Sequence, residues 1–443
     1  MSTQRPSKSV PREAKTTQWS LATRVTFRFC FVYLGLFCLT TQIVTSLFSP
    51  SQGAVIPDPA TVWPIRQIVV WTAAHVFRTT ATLSLGGNSA SGDDTFGWIL
   101  SFCLLIFALL STAAWSLLDR KRENYVELHK WSRLSIRFFL AGQMINYGLD
   151  KVIPLQMSYP DLDTLVEPFG SFSPMGVLWS FMGTSPAYEI FTGCAETLGG
   201  LLLIVPRTAT LGALLCLADM IQVFMLNMTY DVPVKLFSFH LILLALFLLI
   251  SDLRRLVNLF FLNRVSEPST QAQLFRARRA NQAALTAQIL VGLWLLGMNG
   301  YHCRELWYAY GGGRPKSPLY GIWQVSQMSI DDQLRPLAET GVDRWRNVIF
   351  DYPTLVTFQR MDDSFVFYRV AIDANKGILA LTALRDQNRN ANFAFQRMGQ
   401  DRLTLDGKMD GHTIHMQLQI IDRDKFLLVS RGFHWIQEEA FDR

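Results

Sequence analysis

Seven apolar runs constrain the fold of this 443-residue sequence more than any other feature. A helix that crosses the hydrocarbon core of a bilayer needs about 20 mostly apolar residues. The runs lie at 25–48, 97–118, 134–153, 188–205, 211–228, 236–250 and 283–300. We therefore predict an α-helical polytopic membrane protein, with about seven transmembrane helices in a transmembrane domain at residues 22–300.

The distribution of Lys and Arg predicts an orientation. The net charge of +6 falls wholly within residues 1–300, among the apolar runs, which indicates membrane topology and no nucleic-acid partner. With a cytoplasmic N-terminus, 19 of the 23 Lys and Arg residues of this part lie in cytoplasmic segments, as the positive-inside rule requires. Residues 1–21 are then a cytoplasmic basic tail, and residues 301–443 lie outside the cytoplasm, which for a bacterium implies the inner membrane.

Residues 49–96 form an external loop in this topology. Its apolar stretch at 62–83 carries Arg66, His75 and Arg78. A full span there would break the charge pattern, so we predict a helix that lies on the membrane surface. A re-entrant segment is the alternative.

Polar residues within the predicted spans are candidates for a functional site, because ionisable groups are costly at membrane depth. In the third span, one helical face near the outer end carries four of them: Gln143, Tyr147, Asp150 and Lys151. The later spans and the turn between two of them add Glu196, Asp219, Asp231, Lys235 and His240. One interpretation is a substrate, quinone or proton site at the outer mouth of the bundle. The other is a structural ion pair of Glu196 with Lys151 or Lys235, with His240 as a hydrogen-bonded helix contact.

Six cysteines are present, five of them within spans, and no Cys-x-x-Cys motif occurs. A thiol–disulfide relay needs a paired and accessible dithiol, so the cysteines are interpreted as small apolar fillers. Cys303 is the one expected to be exposed outside the membrane.

Three motifs in residues 131–264 resemble those of the DoxX/DoxD group of four-helix membrane proteins. They are Tyr147-Gly148-Leu149-Asp150-Lys151, the Gly193-to-Glu196 stretch with Gly199-Gly200, and Asp231-Val232-Pro233-Val234-Lys235-Leu236. The resemblance implies a DoxX-like four-helix core. It also implies a quinone as the possible cofactor, because some members of the group are subunits of a thiosulfate:quinone oxidoreductase.

The pattern changes after a predicted linker at residues 301–318, which contains three consecutive glycines. Short alternating apolar runs at 355–359, 365–372, 378–384, 394–397, 402–405, 413–420 and 426–430 are separated by turn residues. Strands at this spacing predict an antiparallel meander that closes into a small β-barrel at residues 319–443.

The opening Gly321 and Trp323 resemble the Gly-x-Trp strand of lipocalin-like barrels, and Arg431 is placed to stack on Trp323. A barrel of this size either fills with side chains or holds one small ligand, and the filled form is expected here. His412 and His415 are three residues apart and point to opposite faces of a strand, so no metal site is predicted.

These observations leave the function open between classes, and they do not decide whether the protein is an enzyme. The first hypothesis is a DoxX-like membrane subunit linked to quinone or redox chemistry. The alternative is a non-catalytic component of an envelope complex that presents the β-domain to a membrane or envelope protein partner. A third hypothesis is a lipid or small-molecule carrier that uses the bundle and the barrel together.

Overall fold

The structure, a computed structural model, describes residues 18–50, 56–80, 92–265, 273–335, 344–385 and 389–442. Helices occupy the chain as far as residue 309, and strands follow from residue 321. Contacts divide the chain into two compact units. The first comprises residues up to 146 together with 196–298, and the second comprises 147–195 together with 299–443.

The helices begin and end as follows. They are α1 (Leu21–Thr40), α2 (Gln42–Thr45), α3 (Ile65–His75), α4 (Thr95–Leu118), α5 (Val126–Val152), α6 (Pro174–Gly183), α7 (Pro186–Ile204), α8 (Ala209–Thr229), α9 (Lys235–Leu249), α10 (Leu253–Phe260), α11 (Arg278–Ala309) and α12 (Leu427–Ser430). Because α11 continues to Ala309, the first half of the predicted linker is helical.

Six helices in the described part are long and apolar enough to cross a membrane, so the protein is membrane-embedded. They are Leu21–Thr40, Thr95–Leu118, Pro186–Ile204, Pro206–Thr229, Lys235–Phe260 and Arg278–Ala309. The remaining predicted span falls on α5, which has 27 residues but is too polar to belong to this set. Nine of the ten residues 141–150 are buried. The polar side chains of α5 therefore face protein, which explains why its sequence is less apolar than that of a lipid-facing helix.

The apolar stretch predicted at 62–83 contains the 11-residue helix α3, and residues 81–83 lie outside the described part. At 1.5 Å per residue, α3 is roughly 16 Å long, about half the thickness of the hydrocarbon core. It packs against α4, and just after its end the ring of Phe77 meets that of Phe102 in α4 edge to face at 5.0 Å. A full span at this position is therefore excluded.

Glycines allow close helix crossings in both units. In the second unit, a Cβ atom at Gly193 of α7 would lie 2.6 Å from the carbonyl oxygen of Gly148 in α5. In the first unit, one at Gly200 would lie 2.9 Å from Cγ1 of Ile145. The small residues of α7 thus bring it into backbone contact with α5, a common arrangement in membrane bundles.

Eight antiparallel strands close into a barrel, and a ninth short strand pairs at its edge. The strands are β1 (Gly321–Ile330), β2 (Gln333–Leu334), β3 (Trp345–Phe350), β4 (Leu355–Arg360), β5 (Phe365–Asp373), β6 (Ile378–Ala383), β7 (Asn390–Met398), β8 (Arg402–Met409) and β9 (His412–Ile421). Pairing of β1 with β9, in which Trp323 lies opposite Ile420, closes the barrel. The predicted meander is confirmed, except that its last predicted strand falls on the helical turn α12.

Side chains fill the barrel interior. Trp323 is fully buried, and its Nε1 donates to the carbonyl oxygen of Leu319 at 2.8 Å. It belongs to a core to which every long strand contributes residues. Gly321 has φ +146°, and a Cβ there would lie 2.8 Å from Ile420 Cδ1. The prediction that Arg431 stacks on Trp323 is wrong. Arg431 lies over the ring of Phe441 at 3.9 Å, and Arg397 is the arginine beside Trp323, at 5.8 Å.

The sequence analysis missed β3, which does not alternate because it is buried on both faces. Its inward residues join the barrel core, whereas the outward Ile349 packs with Ile322 and with Leu162 of the 153–185 segment. Gln359 of the neighbouring β4 donates to the carbonyl oxygen of Val166 at 3.0 Å. The chain between α5 and α7 therefore covers one side of the barrel.

Candidate functional site

Asp231 and Lys235, two of the predicted site residues, lie together at the start of α9. Lys235 Nζ is 2.8 Å from Asp231 Oδ1 and 3.7 Å from Asp93 Oδ2. The Asp93 carboxylate also accepts from the backbone N–H groups of Lys235 and Leu236, each at 2.8 Å. These N–H groups at a helix start have no partner within the helix. The Asp-Val-Pro-Val-Lys turn therefore leads into a helix whose first N–H groups are capped by Asp93.

His240 is buried between α1 and α9 in the first unit. Its Nε2 pairs with the Tyr33 hydroxyl at 2.9 Å, and its Nδ1 lies 2.7 Å from the carbonyl oxygen of Leu236. Its ring stacks on Phe37 with 3.6 Å between centroids. Both ring nitrogens are engaged in this arrangement, which favours the interpretation of His240 as a hydrogen-bonded helix contact.

Gln143 and Glu196 are buried in the interior of the first unit, and Asp219 of the same unit is half-buried. Gln143 of α5 is fully buried and donates to Ser46 Oγ. Glu196 of α7 is 3% exposed, and it and Asp219 of α8 both lie close enough to Cys216 to interact electrostatically. These residues bury polar groups where α5, α7 and α8 are also closely packed.

A second group of buried ionisable residues lies in the second unit and is called here the carboxylate cluster: Asp150, Lys151, Glu189 and Cys303. Asp150 Oδ1 accepts from the Cys303 thiol at 3.3 Å. The expectation that Cys303 is exposed is wrong, because the extension of α11 buries it to 1% exposure. Among the described cysteines, Cys194 is the exposed one.

Glu189 was missed by the sequence analysis, although it lies in the first turn of the predicted fourth span. Its side chain is fully buried. Its Oε1 accepts from the backbone N–H of Met157 at 3.0 Å, and Lys151 is close enough for the two charges to interact. Its Oε2 has no hydrogen-bond partner among the described residues. The start of α7 favours a negative charge at this position.

A third polar group joins the 153–185 segment to the barrel and is called here the Arg314 cluster: Arg314, Asp161, Asp351 and Tyr352. Arg314 Nη2 lies 2.9 Å from Asp161 Oδ1 and 2.8 Å from Asp351 Oδ1. The guanidinium lies over the Tyr352 ring at 4.3 Å, and the Tyr352 hydroxyl donates to Asp161 Oδ2 at 3.2 Å. Burial and the neighbouring Asp351 raise the pKa of Asp161 to about 6, against the opposing effect of Arg314.

The structure thus places the predicted site residues in two separate groups, one in each unit. Tyr147, Asp150 and Lys151 lie at the end of α5, where Cys303 of α11 contacts Asp150 and Glu189 of α7 lies near Lys151. His240, Asp231 and Lys235 are instead held by contacts within the first unit. The carboxylate cluster can exchange a proton and donate hydrogen bonds. The described residues include no group of three or more His, Cys, Asp or Glu arranged to hold a metal ion.

The fold and the buried polar groups define a membrane-embedded helical protein that carries a closed eight-stranded β-barrel. The chain is similar to Uncharacterized protein YwoB of Bacillus subtilis, with 32% identity over 126 residues. These residues make up 28% of this chain and 80% of YwoB, so the chain belongs to the same family as YwoB. No family model matches the chain, and no solved structure matches it.

Proposed function

We propose that the protein is a DoxX-like integral membrane protein that binds a quinone at the carboxylate cluster. The observation that carries the proposal is Glu189, a fully buried carboxylate whose Oε2 has no hydrogen-bond partner in the described part of the chain. Buried carboxylates are normally hydrogen-bonded throughout, because an unmade bond costs about 1–3 kcal/mol or more. The Glu189 carboxylate departs from this rule and lies near Lys151, so a ligand that accepts a proton can bind there.

The residues of the carboxylate cluster fit a quinone. The Lys151 ammonium carries three donor hydrogens, which suit a carbonyl oxygen of such a ring. Glu189 supplies an oxygen that can hold and release a proton at the same place. A quinone supplies two-electron redox chemistry when it is bound, and the chain supplies orientation and proton exchange.

The distribution of Lys and Arg supports the orientation that goes with this proposal. In a bacterial inner membrane with a cytoplasmic N-terminus, Lys151 and Lys235 are basic residues of the extracytoplasmic side. The quinone site is then at the outer mouth of the bundle, and the barrel is extracytoplasmic. A reporter fused after residue 442 that is active only in the cytoplasm would contradict this orientation.

The quinone proposal is tested by extracting quinones from protein purified in native lipid discs and measuring them by mass spectrometry. The test variant is Glu189→Gln, whose amide oxygen still accepts from the Met157 N–H group. The control is Glu127→Gln, which removes the same charge from a side chain that is 77% exposed. We expect about one quinone per chain in the wild type and control, and at least a fivefold loss in Glu189→Gln with an unchanged melting temperature. Equal quinone in both variants would refute the proposal.

A second candidate function is favoured by the outer face of the barrel. The interior is filled, whereas an open groove of about 650 Å³ crosses β4, β5 and β6 and is lined by Arg369, Ala371 and Ala380 among others. A non-catalytic component of an envelope complex would present this face to a protein partner. A photoreactive residue at position 380 would then give one discrete protein adduct in cells, and one at Lys408 on β8 would not. The absence of any adduct at position 380 contradicts this function.

A further inference from the structure

The 427–441 segment exposes its apolar residues to an unusual degree. Phe433, Trp435 and Ile436 are 77%, 91% and 80% exposed, and Leu427 and Leu428 are each more than half exposed. Large aromatic and aliphatic side chains in this number are costly in water, at roughly 25 cal/mol per Å² of apolar surface. A contiguous exposed group of this kind indicates an interaction surface.

The segment has a defined shape. Arg431 donates to Gln437 Oε1 at 3.1 Å and lies over the ring of Phe441 at 3.9 Å, which closes a loop. Phe433 and Trp435 pack edge to face at 5.0 Å within that loop. The loop therefore holds its aromatic side chains together on the surface of the protein.

The segment also has a defined place in the second unit, close to the start of α7. Tyr159 donates to the carbonyl oxygen of Val429 at 3.4 Å, and its ring faces Arg423 at 5.1 Å. Tyr159 lies two residues after Met157, whose N–H group is bonded to Glu189 in the first turn of α7. Two residues of chain span at most about 7 Å. Tyr159 is thus held beside the start of a membrane-length helix, and Val429 is in contact with it.

We propose that the 427–441 segment binds the lipid bilayer, with Phe433, Trp435 and Ile436 inserted at the level of the headgroups. The bilayer surface begins where the apolar helices end, so the segment continues an interface that the protein already has with lipid. Trp and other amphipathic aromatic residues are enriched at this depth of a membrane. The bound segment gives the barrel a second attachment to the membrane in addition to α11. This inference does not depend on the proposed quinone site.

The proposal is tested with the full chain in lipid discs, using p-benzoylphenylalanine as a photoreactive residue at position 435. Its matched control is the same residue at Leu334, which is 68% exposed. Leu334 pairs with Ser329 at the end of β1 opposite to Gly321, so it lies at the other end of the barrel from the segment. We expect a phospholipid adduct in the mass spectrum for position 435 and none for position 334. A protein adduct at 435, no adduct there, or equal lipid adducts at both positions would overturn the proposal.

A second measurement needs only a conservative substitution. In discs that contain brominated phospholipids, tryptophan at the headgroup level is quenched by the lipid. We expect the quenched fluorescence of the wild type to exceed that of Trp435→Phe by the contribution of one tryptophan. No difference between the two proteins would show that Trp435 is not at the bilayer, and would overturn the proposal.

Discussion

The carboxylate of Asp93 caps the start of α9 by accepting from the backbone N–H group of Leu236 at 2.8 Å, across more than 140 residues of chain. The next residue, Asp94, caps its own helix α4 by accepting from the N–H group of Gly97 at 2.8 Å. Two adjacent aspartates thus fix the starts of two membrane-length helices. This relationship gives Asp93 a structural role that the sequence alone does not reveal.

Asp93→Ala is expected to destabilise the bundle by about 1–2 kcal/mol, the usual cost of losing a helix cap. Asp93→Asn is the matched control, because it keeps one acceptor oxygen and is expected to lose less. Melting temperatures of both variants in detergent measure the effect. Equal melting temperatures for wild type and Asp93→Ala would show that the cap contributes nothing.

Gly193→Ala is expected to lower the melting temperature of the protein clearly. Its new Cβ would lie 2.6 Å from both Gly148 O and Val152 N, so α7 and α5 must separate. The control is Gly297→Ala in α11, where no atom lies within 4 Å of the added Cβ. Ala is favoured over Gly in a helix by about 0.5–1 kcal/mol, so the control is expected to be neutral or stabilising. A control that loses as much as Gly193→Ala would contradict the crossing.

Gly321→Ala is expected to destabilise the barrel by two effects, a strained backbone at φ +146° and a Cβ 2.8 Å from Ile420 Cδ1. Gly411→Ala, at φ +87°, adds strain without a neighbour within 4 Å. Strain of this kind costs about 1–3 kcal/mol. When unfolding is monitored by tryptophan fluorescence, we therefore expect Gly321→Ala to be less stable than Gly411→Ala, and both variants to be less stable than wild type. The reverse order of the two variants would refute the close approach of β1 and β9.

The Arg314 cluster predicts a pH dependence of stability. The pKa of Asp161 is raised to about 6 from its ordinary value of 3.8, so the folded state binds its proton more tightly than the unfolded state. The stabilisation from this proton is complete below pH 3.8 and is lost as the pH rises through about 6. The side chain of Asp161→Asn stays neutral at every pH. The melting temperature of this variant minus that of wild type should therefore increase as the pH rises from 4.5 to 7. A constant difference over that window would rule out the raised pKa.

The sequence predicted the elements that depend on local pattern. Apolar runs of membrane length located six helices, and alternation located the strands from 355 to 420. The contacts that hold distant segments together left no such pattern. β3 lacks alternation because Leu162 covers its outward Ile349. In the sequence, Glu189 is an ordinary acidic residue at a helix start. Its burial depends on the fold, which brings the Met157 N–H group to it. A search for acidic residues in the first turns of spans would have found it.

The contact between Leu162 and Ile349 joins two parts of the chain that are synthesised at different times. About 190 residues of chain separate the two positions, and translation adds roughly 5–20 residues per second. Leu162 is therefore without its cover for some 10–40 seconds while the later helices and the barrel strands are made. During this interval the chain between α5 and α7 carries an apolar side chain that the later-made barrel shelters. A ribosome that stalls before β3 would leave that surface open to proteases and to other nascent chains.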